Sequence, residues 1–380
     1  ILFLSSFFPA LIAAADCLSP LILSSFLFSY ICTEKAILSL YFVDFFVPYR
    51  YTLSQNFSKH HLFTKSSIFI KDFYERCLFM LTYILLILGF ILLIKGADLF
   101  VDGSSSIARL LRIPAAVIGL TIVAFGTSAP ELSVSCSAAL AGQNEIAISN
   151  VLGSNIFNLM VVTGACAAIS AIPVNEGILK REFPFSIVAA ALLLIFSLFG
   201  FGRLNIGRLE GLTLLVLFVL FVAIQVRDAL KSRSENAEDP MEEVLSPLKS
   251  IVFVVIGCIM IIYGGNFVVD SASEIAANFG LSETLIGLTV VAFGTSLPEL
   301  VTSIVASRKG ENDLAIGNVV GSNIFNILMI LGISTSIHPV ALQPSAVYDC
   351  IILMVFSILV LFFCWSKKRL ARGEGIFMII

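Results

Sequence analysis

Two stretches of this chain are nearly the same text written twice. Residues 119–132 read GLTIVAFGTSAPEL and residues 287–300 read GLTVVAFGTSLPEL. Residues 150–158 read NVLGSNIFN and residues 318–326 read NVVGSNIFN. Each block recurs at the same offset of 168 residues. Each is apolar helical text interrupted by Gly, Thr, Ser, Pro and Glu. Interruptions of that kind, in matching positions of two halves of a membrane protein, mark a transport site better than any other feature of sequence.

The solvent for this chain is lipid. The 380 residues are 58% hydrophobic and 13% charged, where a soluble domain carries about 25% charged residues. Continuous apolar runs of about 20 residues recur from Leu81 onward, each long enough to span a bilayer. The runs do not alternate, so helices span rather than a β-barrel. The net charge of −3 and the lack of a basic patch with interleaved aromatics argue against nucleic acid. The eight Cys are scattered singly with no CxxC, so neither a zinc site nor a disulfide framework is indicated.

Periodicity and turn signals predict helices over 81–106, 113–141, 146–170, 183–201, 209–228, 248–274, 281–307, 314–337 and 345–365, with a tenth from about Arg372. Five precede the one long polar segment and five follow it. An odd count per half means the second half enters the membrane from the opposite side, so the halves are inverted copies about an axis in the membrane plane. The expected fold is therefore an all-α membrane protein: ten transmembrane helices as two inverted five-helix repeats. It divides into an unmatched segment 1–79, a first half 80–228, a linker 229–247 and a second half 248–380. Loops on one side hold fourteen Lys and Arg, against Arg203 and Arg208 on the other, where Lys65, Lys71 and Arg76 before the first helix weaken the bias without reversing it. The richer side is read as cytoplasmic, which puts the linker inside and the start of the first helix outside, in a plasma or inner membrane.

Both ends depart from the repeat. Residues 1–79 hold 13 of the 33 Phe and have no counterpart at the 168-residue offset. They are expected to lie outside the functional core, which begins near Met80. Arg208-Leu209-Glu210-Gly211 opens the fifth helix, and Arg372-Gly373-Glu374-Gly375 resembles its partner. Only five residues follow, so the tenth helix reads as truncated.

The interruptions carry the chemistry. A carboxylate at membrane depth costs at least a few kcal/mol unless paired, so Glu131 and Glu299 are functional candidates. Pro130 and Pro298 lack an N–H and free the carbonyl four residues back, that of Gly126 or Gly294. Thr127 and Ser128 precede Glu131 by four and three residues and share its helix face, as Thr295 and Ser296 do with Glu299. Inverted symmetry brings the two Glu together, and two close carboxylates in low dielectric need a cation between them. Ser154 and Asn158, and Ser322 and Asn326, add hydroxyl and amide oxygens at i,i+4 spacing. An all-oxygen inventory suits hard cations such as Ca²⁺ and disfavours zinc or copper. Asp98, Asp102 and Asp270 lie near helix ends, where a solvated role and a role in admitting ions are equally open. No cofactor is called for.

These blocks resemble the two alpha repeats of the sodium/calcium exchanger family, in the cation/calcium antiporter superfamily. The likeness runs from Met80 to the end of the chain. It implies ten helices, an inverted repeat, and exchange of Na⁺ for Ca²⁺ at one central site. Carried over by position, it implies ion ligation by Glu131, Glu299, Thr127, Ser128, Thr295, Ser296, Ser154, Asn158, Ser322 and Asn326, with the carbonyls of Ala124 and Ala292. It also implies that helices one and six slide past the other eight as a gate. Some members carry an acid at one of the positions occupied here by Asn158 and Asn326, and this chain has amides at both. Its site then has two formal negative charges, enough to neutralise one Ca²⁺. The ions and the lipid bilayer are the expected partners. The rival readings are a Ca²⁺/H⁺ antiporter on the same scaffold and a cation channel. An intramembrane enzyme is disfavoured, because the only His in the helical region is His338 and no Ser/His or GxGD pattern occurs.

Overall fold

The structure, a computed structural model, describes residues 65–142, 144–199, 204–235 and 245–380. Expectations that fall on residues 1–64, 143, 200–203 and 236–244 lie outside it. The chain divides into two units, Ile1–Cys77 and Leu78–Ile380. The helix packing and the buried polar cluster belong to the second.

The described residues are almost all helical. The helices are α1 (Lys65–Leu111), α2 (Ala115–Thr127), α3 (Ala129–Leu140), α4 (Glu145–Ile169), α5 (Ile178–Phe199) and α6 (Arg208–Glu235). They continue with α7 (Pro247–Asn278), α8 (Thr289–Thr295), α9 (Leu297–Arg308), α10 (Asn312–Ile337), α11 (Pro344–Lys367) and α12 (Arg372–Ile379). Seven of these are long and apolar enough to cross a membrane, or nine if the bent pairs α2–α3 and α8–α9 each count as one span. The chain is thus an integral, multi-pass helical membrane protein.

Several boundaries differ from the sequence reading. The spans predicted at 113–141 and 281–307 are each two helices, bent by 50° and 47°. The helix predicted from 183 begins at Ile178, in a turn of π-helix over Ile178–Glu182. The fifth predicted helix runs on to Glu235, so residues 229–235 of the expected linker are helical. Polar composition marks the end of the membrane there, but Ala229, Leu230, Lys231 and Arg233 are good helix formers outside lipid as well. Asp228 also anchors that turn by pairing with Arg181 of α5 and with Arg227.

Four two-residue strands stitch the loops together. β1 (Ile172–Pro173) pairs antiparallel with β4 (Arg369–Leu370), and β2 (Asn205–Ile206) with β3 (Val340–Ala341). Each pairing joins segments far apart in the chain. Beside them the carboxylate of Glu210 accepts from the Gly207 amide at 3.1 Å, and that of Glu374 from the Ala371 amide at 2.7 Å. These contacts satisfy amide donors that a helix start otherwise leaves unpaired.

Glycines set how α1 and α7 meet. A Cβ on Gly89 would lie 2.9 Å from the Gly264 carbonyl, on Gly96 3.0 Å from that of Gly257, and on Gly103 2.7 Å from that of Ser250. The numbers descend on one helix as they rise on the other, so the two run antiparallel. Glycine every seventh residue lets the backbones touch without interlocking side chains. A core of Leu93, Ala97, Phe100, Val101, Ile261 and Val268 surrounds this crossing, with Ile118, Val123, Ala306 and Leu314 packed against it. A larger core unites α2, α4, α5, α6, α10, α11 and α12. Matching aromatic pairs, Phe125–Phe325 and Phe157–Phe293, stand edge to face at 6.0 and 5.1 Å.

Candidate ion-binding site

Both bent pairs break at the same residue of the repeat. Ser128 (φ −83°, ψ 8°) and Ser296 (φ −92°, ψ 4°) leave helical geometry, and Pro130 and Pro298 sit in the first turn of the helix that follows. Proline is tolerated there because its missing N–H would be unpaired in any case. Glu131 and Glu299 therefore lie in the first turns of α3 and α9. The positive ends of two helix dipoles favour their charge.

Neither serine caps its own helix. Each hydroxyl crosses to the other half: Ser128 Oγ donates to Glu299 Oε1 at 2.9 Å, and Ser296 Oγ to Glu131 Oε1 at 3.1 Å. Ser154 Oγ reaches Glu131 Oε1 at 3.2 Å and lies 2.9 Å from Ser296 Oγ. Thr127 Oγ1 lies 3.4 Å from Ser322 Oγ and 3.0 Å from Asn318 Oδ1. Thr295 instead turns back to the Ala292 carbonyl at 3.4 Å.

Of the twelve residues the sequence singled out, eleven are buried, Glu131, Glu299, Asn158, Ser296, Ser322, Asn326, Thr127 and Ala124 completely. Ala292 alone is exposed. Its counterpart carbonyl on Ala124 accepts from the Ser128 amide at 3.0 Å and the Thr127 hydroxyl at 3.4 Å. The carbonyl that Pro130 frees, that of Gly126, does not join the cluster. It faces α7, where the Cys258 thiol lies 3.9 Å away. Asp98 and Asp102 are also elsewhere: Lys309 Nζ lies 3.4 Å from Asp98 Oδ1 and 2.7 Å from Asp102 Oδ1.

Four buried oxygens at the centre have no hydrogen-bond partner: Glu131 Oε2, Glu299 Oε2, Asn158 Oδ1 and Asn326 Oδ1. All four only accept, and they form two pairs at the 168-residue offset. An orphaned buried acceptor costs about 1–3 kcal/mol, and more when charged. Four such acceptors, carried by four helices, fit a ligand made of positive charge alone. Among the described residues no group of three or more His, Cys, Asp or Glu is assembled.

Sequence reasoning did not place Asn155, Asn323, Asn150 and Asn318 among the site residues. The two Asn155 and Asn323 amides reach across: Asn155 Nδ2 donates to the Asn323 backbone carbonyl at 3.2 Å, and Asn323 Nδ2 to that of Asn155 at 3.3 Å. Asn150 Nδ2 donates to Ser135 Oγ at 2.9 Å, and Asn318 Nδ2 to Ser303 Oγ at 3.0 Å. The signal is present in the doubled NVxGSN text. It is easily passed over, because an amide next to a serine gives no sign of which backbone it will meet. The π-turns at Gly119–Val123, Asn158–Val162, Gly287–Val291 and Phe325–Ile330 are likewise invisible to periodicity, and they cluster around the site as such turns often do.

A multi-pass helical protein with a buried, crossed cage of oxygens at two broken helices belongs among the ion exchangers. The model of the family described as sodium/calcium exchanger protein matches residues 81–227 and 249–380, and the chain belongs to that family. It is 39% identical over 295 residues to the putative antiporter CaxA of Alkalimonas amylolytica, covering 74% of this chain and 89% of that one. It is 31% identical to the sodium/calcium exchanger MaX1 of Methanosarcina acetivorans, covering 74% and 90%. Among solved structures, the sodium-calcium exchanger NCX_Mj soaked with Na⁺ and Sr²⁺ superposes with a TM-score of 0.70 at 31% identity, over 79% of this chain and 96% of that one.

Proposed function

We propose that this chain is a secondary antiporter in which Na⁺ moving down its gradient drives Ca²⁺ the other way through one central site. The observation that carries this is the set of four unpartnered acceptor oxygens, two from carboxylates and two from amides, enclosed at the crossing of the repeat. Membership of the exchanger family and the name of the MaX1 relative support it.

The ligands in this reading are the side chains of Glu131, Glu299, Thr127, Ser128, Thr295, Ser296, Ser154, Asn158, Ser322 and Asn326, with the carbonyls of Ala124 and Ala292. Two formal charges balance one Ca²⁺. Na⁺ and Ca²⁺ compete for the same carboxylates, so full occupancy by one excludes the other, and that exclusion is the coupling. Ten spans as two inverted halves remain part of the proposal. It rests on the 168-residue correspondence of the crossed bonds, the aromatic pairs and the two bends. In this reading residues 1–79 lie outside the exchanger core. The linker is cytoplasmic by its positive charge, in a plasma or inner membrane. The α1–α7 pair, joined by glycines, supplies a smooth surface along which it slides as the gate.

The test is ⁴⁵Ca²⁺ uptake by the purified protein in vesicles loaded with Na⁺. Uptake should saturate and should require Na⁺ on the opposite face. Uptake driven by a proton gradient with no Na⁺ would replace this reading with the Ca²⁺/H⁺ antiporter. Flux without any counter-ion would replace it with a channel.

A further inference from the structure

We infer that Asn155 and Asn323 are positioning residues that dictate which end of the Asn158 and Asn326 amides faces the ion. The inference rests on the ion site proposed above and adds two residues that touch no ion themselves.

The orientation is forced. A carboxamide presents an acceptor on one side and a donor on the other, and nothing in its shape prefers either. A backbone carbonyl can only accept. Asn323 places its amide against the backbone carbonyl of Asn155 at 3.3 Å, so Nδ2 must face that carbonyl. Its Oδ1 then faces the other way, and Asn158 Nδ2 donates to it at 3.2 Å. With the NH₂ of Asn158 so committed, its Oδ1 is left unpartnered and pointing elsewhere. The same sequence runs in the opposite sense. Asn155 Nδ2 is fixed by the Asn323 carbonyl at 3.2 Å, and Asn155 Oδ1 accepts from Asn326 Nδ2 at 2.9 Å. Asn326 Nδ2 also donates to Ser154 Oγ at 3.3 Å, and its Oδ1 is left unpartnered. All four asparagines are at most 1% exposed, so water does not compete for these groups.

The consequence is chemical. Were either outer amide to rotate by half a turn, it would present NH₂ to a cation and repel it. Two backbone carbonyls, which cannot change character, thus set the polarity of two ion ligands through one intervening amide each. A family pattern with an acid at position 158 or 326 does not need this device, because a carboxylate shows oxygen on both sides. A chain with amides at both positions does need it.

That contrast supplies the test. Apparent Ca²⁺ affinity is read from Na⁺-dependent ⁴⁵Ca²⁺ uptake for Asn323→Leu, Asn158→Asp and the double variant, with maximal uptake per folded protein as the second readout. Asn323→Leu should weaken apparent affinity about tenfold, the size of one lost or inverted hydrogen-bond preference at a charge, while maximal uptake changes little. In the Asn158→Asp background the same Asn323→Leu change should cost less than about twofold, because orientation no longer matters. An equal loss in both backgrounds would overturn the inference and leave Asn323 a packing residue. The mirror cycle, Asn155→Leu with and without Asn326→Asp, repeats the test if the first set does not fold. Failure of the ion site itself would show differently: Glu131→Gln and Glu299→Gln would then retain uptake.

Discussion

The two halves of this molecule are equal at their carboxylates and unequal in the packing around them. Glu131 and Glu299 are both fully buried, and each receives one serine hydroxyl from the opposite half. Gly321 and Gly153 occupy the same place in the repeat, yet a Cβ on Gly321 would lie 2.8 Å from Leu120 Cα, Leu120 O and Ala124 Cβ, while one on Gly153 would meet nothing within 4 Å. The membrane-spanning window of α10 is 100% buried and that of α4 56%. Ala124 is enclosed under Gly321, and its counterpart Ala292 is exposed. A symmetric site thus sits inside an asymmetric body: α2 is pressed onto α10, and the equivalent seam between α8 and α4 stands open. If turnover in the proposed exchanger swaps the tight and the open seam between the halves, each half takes both arrangements in turn.

The largest test of the comparison is at the equal positions. Glu131→Gln and Glu299→Gln should each lower Na⁺-dependent Ca²⁺ flux by roughly 100-fold or more, since stranding one member of a buried charged set costs about 3–5 kcal/mol. Retained flux in either one would break the equivalence of the halves. Next come the glycines. Gly321→Ala should destabilise by about 1–3 kcal/mol, because the Leu120 backbone and the Ala124 Cβ beside it cannot yield. Gly153→Ala should hold or raise Tm, as an open helical site gains from a better helix former. A sharper form is Gly153→Leu, which should keep its Tm and still slow exchange if the Gly153 seam closes during turnover.

A smaller effect is expected at the charged end of α1. Lys309 bridges Asp98 and Asp102, and Arg109 holds Glu311 at 2.8 Å. At the matching positions of the repeat the chain has Ala141 in place of Lys309 and Ala277 in place of Arg109, so only one of the two halves can build this clasp. Lys309→Ala should cost less than about 1 kcal/mol, as partly exposed ion pairs do. The cost should shrink further in high salt, which thermal unfolding at two ionic strengths would detect. The smallest concerns Glu176, in the loop before α5. Lys180 and Lys368 hold its carboxyl down from 4.5 to about 2. Its pairing with them should contribute above the ordinary carboxylate range and fade only as pH falls towards about 2. Glu176→Gln should therefore lower Tm slightly at pH 7 and leave it unchanged at the acid limit. A difference that persists there would remove the ion pair as its cause.

Much of this was legible before any coordinates. The buried carboxylates, the serines beside them and the helix breaks are chemical anomalies in apolar text, and lipid makes such anomalies expensive enough to be informative. The doubled text also supplied the pairing of positions, because a shared offset survives whatever the fold does. What stayed hidden depends on direction. The Gly126 carbonyl is freed by Pro130, but sequence cannot say which helix it will face, and it faces Cys258. The heptad of Gly89, Gly96 and Gly103 was there to be read and acquires meaning only beside Gly257 and Gly264. The inequality of Gly153 and Gly321 was beyond reach, since identical letters carry it.

The crossed serine bonds have a consequence for how such a chain can change over generations. Each half keeps the parts its twin needs: the hydroxyl for the other's acid, the carbonyl for the other's amide. A substitution at Ser128 is felt at Glu299, and one at Asn155 is felt at Asn326. The halves are therefore tied like two signatories of one contract, and neither is free to drift alone. Separated, each would carry an incomplete cage, and only the other half would complete it.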